Sequence, residues 1–595
     1  MTLQYFAPGK VKLGGKEEEY VRFSMEHQLL DGETWRKFVQ VFRADSDVED
    51  NGWRCEYWGK MMRGAALTYM YTGDEALYEV LKAAVEDLLT AQREDGRFST
   101  YPRGGDLTGW DLWGRKYVLT GMLHFYRICK EDDLKERILT ALCRHADALL
   151  AEVGAEEGKA DITQTSQWWG GVNSCSILEP MLDLYKVTGR EEYLRFGEYI
   201  LSTGGCRDGN LIELAHEGKV MPYMYPEVKA YETMSFFEGV LAYYEVTGKE
   251  YYLETVLRFV EAVAETDITL IGCSGCTHEL FDHSALRQTE WSDVIMQETC
   301  VTVTWMRLMA RLHLFTGEWK YMERMECSAY NALYGAVNTA LEKQLSRETG
   351  IWLEPMPFDS YSPLYDNQRG VGVGGYKEFA FGGYYGCCAC IASAGTAIYP
   401  LTAVLAGEKS VTFNEPLGGD VTVGTGTWHM ESAFPERLMW TAKLSCTGEE
   451  TYTLRVRVPG WAEKAQLTVN GGGEYRAEDG YFAVTRLWQD GDEVCLSGGI
   501  SLRTVSLNGR TAFLWGPLVL SRDAAKEEGD ADLSEEVTLR DLTFRMLPAE
   551  KGELVRLTLP RAEGGWMLLT DYASCGKHWR EKKCRISPWL NIRFA

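Results

Sequence analysis

No apolar run in the chain is long enough to cross a membrane, and residues Met1 to Tyr20 carry Lys and Glu where a secretory leader would have an apolar core. Positive charge is also scarce. The 595 residues hold 62 Lys and Arg against 87 Asp and Glu, a formal charge of -25, which would repel nucleic-acid phosphates and excludes that class of partner. Disorder is excluded as well, because 45% of the residues are hydrophobic, as in an ordinary globular protein. Cysteine, by contrast, is plentiful at 16. In so large a chain these are not a disulfide scaffold, so a reducing cytoplasm with free thiols is the expected setting. Cys129, Cys143 and Cys446 then read as core residues.

The length calls for more than one domain. From about Asn51 to Leu405 the pattern is helical and repeats. Thr72-Gly73, Thr188-Gly189, Thr247-Gly248 and Thr316-Gly317 each follow an aromatic-rich apolar helix and precede a charged, amphipathic one, with Cys129-Lys130-Glu131-Asp132 as a degenerate copy. Glycine is the expected helix C-cap in each unit. With a last helix over Cys390–Leu405, about six hairpins result, which predicts an (α/α)6 toroid. An open solenoid such as a tetratricopeptide array is the alternative, but its repeat is shorter.

Past Glu408 the pattern changes to short alternating segments, Ser410–Asn414, Asp420–Gly424, Thr453–Val458, Gln466–Asn470, Tyr481–Thr485 and Glu493–Leu496, separated by Asn-Gly and Asp-Gly turns. These predict an antiparallel β-sandwich. The expected division is a toroid over 1–405 and β-sandwich over 406–595, with Lys526–Glu536 as an exposed acidic loop and a sandwich edge available for a homodimer.

Chemistry concentrates in thiols. Cys387, Cys388 and Cys390 crowd together after a glycine-rich run (Gly370, Gly372, Gly374, Gly375, Gly382, Gly383), and upstream lie Glu298-Thr299-Cys300 and Cys273-Ser274-Gly275-Cys276. Helical spacing of Trp305, Leu308, Met309, Leu312 and Phe315 starts one helix at about Cys300. Ile391, Ala394 and Ile398 mark another, which Pro400 should end or kink. Both thiol groups then sit at helix N-termini, where the dipole lowers a thiol pKa. Glu298, Cys300, Cys387 and Cys388 make a complete set for a tetrahedral zinc. A zinc ribbon built from Cys273-x2-Cys276 and Cys387-x2-Cys390 is the structural alternative, at an unusually wide separation. The GxGxxG match at Gly370, Gly372 and Gly375 lacks a βαβ context, so an active-site loop is expected there rather than a nucleotide site.

Several of these pieces resemble the glycoside hydrolases of family 127, typified by bacterial β-L-arabinofuranosidase. The resemblance rests on Glu298-Thr299-Cys300, Cys387-Cys388, Tyr330-Asn331, Val458-Pro459-Gly460-Trp461-Ala462, Asn470-Gly471, Gly480-Tyr481, Gly516-Pro517-Leu518 and Asp571-Tyr572-Ala573, and runs almost end to end. It implies a zinc-dependent retaining glycosidase in which Cys387 is the nucleophile, Glu298, Cys300 and Cys388 complete the zinc site, and Glu279, in Glu279-Leu280-Phe281, is the general acid/base. Glu290 and Asp282 are competitors for that last role, and the nineteen positions between Glu279 and Glu298 imply an insertion.

The family's histidines at inner-helix starts have counterparts here in Lys116 and Lys229, with Asn173-Ser174 near the third place. Lysines facing the cavity would favour a sugar bearing a carboxylate. His278 is a candidate sugar contact. Trp110, Trp113, Trp168 and Trp169 suit stacking on sugar faces, though such residues also fill toroid cores. The resulting expectation is release of a terminal β-L-arabinofuranose or a related pentose, neutral or acidic, from oligosaccharides. Two alternatives stand beside it: a uronic-acid glycan hydrolase or lyase working through carboxylates, and a non-catalytic carbohydrate-binding protein whose thiols hold a structural ion.

Overall fold

The computed structural model describes residues 3–44, 47, 52–291, 297–346, 349–372, 375–527, 531–579 and 584–595. Asn51, Gly374 and residues 528–530 of the acidic stretch lie outside them. Six inner helices form a closed ring: Tyr57–Thr72, Asp111–Ile128, Leu178–Thr188, Ala230–Thr247, Thr299–Thr316 and Cys387–Ala403. Each packs on the next, and the last packs back on the first. Inner helices are buried on nearly every face. In the first, only Met70 and Thr72 escape full burial.

The outer helices bury one stripe. Glu75–Leu89 buries Leu77, Tyr78, Leu81, Ala84, Val85 and Leu88, the helical spacing of a one-sided contact. Four inner helices end at the expected glycines, Gly73, Gly189, Gly248 and Gly317, each with φ between 64° and 69°. That left-handed conformation is close to free for glycine alone, which explains the recurring Thr-Gly pair.

The N-terminal helices Gly15–Ser24 and Gly32–Ala44 fall within the expected 1–405 span, the first packing on the sixth inner helix. One expectation needs correction. That sixth helix starts at Cys387 and carries Pro400 inside it, giving way to a strand only at Val404. Pro400 therefore sits in the last turn, within one turn of the helix end.

All six expected strands are present, with one parallel pairing (Ser410–Phe413 on Thr453–Val456) among antiparallel ones. A six-stranded sheet contains Gly419–Val423, Gly426–Ser432, Leu438–Cys446, Glu493–Gly499 and Glu463–Val469. Its outermost strand is Val11–Leu13, so the N-terminus belongs to the sandwich as much as to the toroid. A four-stranded sheet faces it across Phe413, Trp428, Trp440 and Trp488, with Phe413 and Trp440 ring centroids 5.2 Å apart.

A further sheet follows, built around Leu502–Leu507, Arg510–Trp515, Leu518–Asp523, Arg556–Pro560 and Trp566–Asp571. It also holds the loop that leads to Cys387: Asn367 and Gln368 pair with Ile586 and Arg585, and buried Arg369 donates to the carbonyls of Tyr572 and Cys575. In the acidic stretch, Lys526 pairs with Glu553 and Leu533 is buried, so it is anchored rather than simply exposed. Among the described residues no helix is long and apolar enough to cross a membrane.

Candidate active site

Five inner helices deliver residues from their first turns or N-caps to one pocket of about 480 Å³: Glu56 and Lys60, Trp110, Lys229 with Tyr231 and Glu232, Glu298, and Cys387. Helix N-termini carry the positive end of the backbone dipole, so this mouth of the toroid favours anionic side chains. Trp53, His278, Glu279, Tyr361, Gly375, Tyr376 and Lys377 complete the wall.

At the pocket floor, Glu298, Cys300, Cys387 and Cys388 place one ligand atom each within 4.8 Å of all the others. Cys300 Sγ lies 3.4 Å from Cys388 Sγ and 3.9 Å from Cys387 Sγ, Cys387 to Cys388 is 3.8 Å, and Cys388 Sγ to Glu298 Oε1 is 3.5 Å. A tetrahedron with metal–sulfur bonds of about 2.3 Å and a metal–oxygen bond of about 2.0 Å has edges of about 3.8 Å (S to S) and about 3.5 Å (S to O). The set therefore fits a metal ion. Glu298 Oε2, buried, has no hydrogen-bond partner. Cys273 and Cys276 stand outside this cluster, Cys273 Sγ donating to the Glu298 carbonyl at 3.3 Å and Cys276 Sγ accepting from Gln297, and Cys390 is likewise excluded. The zinc-ribbon alternative is thereby overturned.

The three thiols are not equivalent. Cys387 reaches the pocket at 7% exposure, whereas Cys300 and Cys388 are sealed. Hydrogen bonding with Cys300 and Cys388 holds the pKa of the Cys387 thiol well below the ordinary range, helped by the charges of Lys60 and Lys229. Burial pushes Cys300, Cys388 and Glu298 upward.

Glu279 projects from the loop Cys273–Ser284, which docks on the N-terminus of the fourth inner helix: Ala230 N–H donates to the Glu279 carbonyl and Phe281 N–H to that of Val228. The Glu279 carboxylate accepts from Tyr361 Oη at 2.8 Å and from Lys229 Nζ. Its competitors point away. Glu290 is exposed beside Arg287, and Asp282 pairs with Arg287 and accepts from Ser284.

Of the expected sugar-binding residues, Lys229 and His278 line the pocket. Lys116 does not. It is fully buried on the second inner helix, its Nζ 4.2 Å from the Trp113 ring centroid and without a hydrogen-bond partner, and burial pulls its pKa down to about 7. Trp169 is also not part of the wall but backs it, with its ring 5.2 Å from Lys229 Nζ. Trp110 lines the pocket, while Trp113 is core and donates to Glu56. Asn173 is buried and donates to Gly109 and Ser166.

Glu56, Lys60, Tyr231, Glu232 and Tyr361 escaped the sequence reading. For the first four a signal existed: each lies at an inner-helix start, the register that places Glu298 and Cys387. Tyr361 had none, since only the pairing of Gln297–Glu298 with Tyr361–Ser362 brings it in.

Comparison with known proteins identifies a family and a fold. Residues 14–345 match the family model for the β-L-arabinofuranosidase GH127 catalytic domain, and residues 420–498 that for the GH127 middle domain. A non-reducing end β-L-arabinofuranosidase of Bifidobacterium longum is 21% identical over 547 residues, covering 84% of this chain and 78% of its own. Among solved structures, a GH127 β-arabinofuranosidase superposes with a TM-score of 0.74 at 17% identity, covering 99% of this chain and 98% of the other. A GH127 β-L-arabinofuranosidase from Geobacillus stearothermophilus gives 0.70 at 16% identity, covering 98% and 100%. Both superpositions extend over toroid and β-sheets alike and speak for the fold.

Proposed function

The chain belongs to the β-L-arabinofuranosidase family GH127 and is a glycosidase, and from that premise we propose that it releases a terminal β-L-arabinofuranose or related pentose from oligosaccharides by a retaining mechanism with Cys387 as nucleophile. The observation that carries this reading is that, of three clustered thiols, Cys387 alone opens to the pocket that also presents Glu279.

Glu298, Cys300, Cys387 and Cys388 would hold zinc, which supplies Lewis acidity that keeps the thiolates ionised and lets sulfur act as a leaving group. Cys387 Sγ attacks the anomeric carbon, forming a C–S bond as the glycosidic C–O bond breaks, and Glu279 gives its proton to the departing oxygen. Glu279 then takes a proton from water, whose oxygen attacks the same carbon, and the C–S bond breaks to return the Cys387 thiolate. Two inversions give retention. Tyr361 holds one Glu279 oxygen in place, and Glu232, whose Oε2 is buried without a partner in the pocket wall, is placed to accept sugar hydroxyls.

A pentose bearing a carboxylate is the second reading, favoured by Lys229 and Lys377 in the pocket wall. The sixteen free thiols suit a reducing compartment such as the cytoplasm. Metal analysis combined with hydrolysis of aryl pentosides, neutral and carboxylated, tests the reading. One zinc per chain is expected. Cys387→Ser should retain most of the metal through the remaining ligands and lose activity by about a thousandfold or more. Full activity in zinc-loaded Cys387→Ser would instead support a carboxylate mechanism with structural zinc.

A further inference from the structure

Lys60 lines the pocket and touches the thiol cluster without being one of its ligands. It is 1% exposed. Its Nζ lies 3.6 Å from Cys300 Sγ, 2.8 Å from Glu56 Oε1 and 4.5 Å from the centroid of the Tyr231 ring. The ammonium is thus held between a thiol, a carboxylate and an aromatic face. Glu56 is held in turn by the indole N–H of Trp113. A chain of contacts thus runs from Trp113 on the second inner helix, through Glu56 and Lys60 on the first, to Cys300 on the fifth.

Two consequences follow for a bound divalent ion. Three thiolates and a carboxylate leave the occupied site two charges negative, a costly state in a buried pocket unless a cation stands close by. Lys60 sets an ammonium against Cys300 without occupying a ligand position, and Glu56 balances its charge. Among the three sulfurs, Cys300 Sγ is the one that accepts from the ammonium. A charged N–H donor draws electron density from the sulfur it touches and fixes that sulfur in place.

We propose that Lys60 is a positioning residue of the metal centre, which fixes Cys300 as a permanent ligand and leaves Cys387 as the thiolate that exchanges onto the sugar. This inference rests on the metal–cysteine reading above.

Its test is metal binding by the full chain, measured with zinc against a competing chelator and with cobalt(II) by its thiolate charge-transfer band. In Lys60→Met the zinc affinity should fall about 10- to 100-fold, and the cobalt band should move relative to wild type. Should that variant fail to fold, Glu56→Gln/Lys60→Met, which leaves no unpaired buried charge at the pair, carries the same test. Wild-type affinity in the variant, or weakened affinity with an unmoved band, would overturn the proposal and reduce Lys60 to packing. Wild-type protein that takes up neither metal would overturn the metal–cysteine reading itself.

Discussion

At Glu279 the backbone is part of the placement. His278 and Glu279 have φ of 49° and 64°, and Leu280 N–H closes the turn on the Thr277 carbonyl. Side-chain-bearing residues rarely adopt this conformation, at a cost on the order of 1 kcal/mol or more each, and it turns the carboxylate toward Tyr361 and Lys229. Tyr361→Phe removes a hydrogen bond that fixes the Glu279 carboxyl group, worth about 0.5–1.5 kcal/mol, so kcat should fall roughly two- to tenfold with little change in KM. Steady-state kinetics on an aryl pentoside check this, and an unchanged kcat would remove Tyr361 from the positioning of Glu279. That Glu298, Cys300, Cys387 and Cys388 cluster beside a pocket that Glu279 lines was legible because each stands in a short local motif. Lys116 was not: its distance from a helix-capping glycine locates it along the helix, but the side of the ring it faces depends on neighbours distant in sequence.

Among the elements, close packing of the inner helices sets the diameter of the ring. A Cβ at Gly59 would lie 1.9 Å from the Tyr117 carbonyl oxygen, so Gly59→Ala must force the first two inner helices apart. At Gly189, a helix C-cap with φ of 67°, nothing lies within 4 Å of the same atom. Gly189→Ala should therefore cost only about 1 kcal/mol of conformational strain, whereas Gly59→Ala should cost at least about 3 kcal/mol or prevent folding. Thermal unfolding of the two variants distinguishes these cases, and equal losses would contradict the packing argument.

The Thr-Gly rhythm made the hairpins readable, and turn dipeptides did the same for six strands. The N-terminal helices lack that rhythm and were missed. Strands such as Gly426–Ser432 and Leu438–Cys446 were missed because no Asn-Gly or Asp-Gly turn flanks them. Several motifs that carried the family resemblance prove to be staples between units. Asn331 bonds both Pro517 O and Val519 N–H, Trp461 donates to Glu326, and Tyr572 Oη donates to Pro363 O.

For the molecule as a whole, those staples and the N-terminal strand tie toroid and β-sheets together, so the loop leading to Cys387 depends on the C-terminal sheets. Acid should loosen the assembly in a traceable way. Burial lowers the pKa of His145 to about 3 and of His313 to about 4, from 6.5. Below about pH 6.5 the unfolded chain takes up protons that the folded one refuses, so each histidine removes about 1.4 kcal/mol per pH unit until its folded value is reached. Apparent Tm measured from pH 7 to pH 4.5 should fall less steeply in His145→Gln than in wild type, and parallel slopes would contradict this assignment.

The central claim, that a thiolate and not a carboxylate attacks the sugar, is tested most directly by mass spectrometry of Glu279→Gln protein incubated with p-nitrophenyl β-L-arabinofuranoside. The aryl group leaves without an acid, while release from the enzyme lacks its base, so the intermediate should accumulate. A pentosyl adduct on the peptide containing Cys387 is the predicted result. An adduct on a carboxylate, or turnover with none on Cys387, would contradict it.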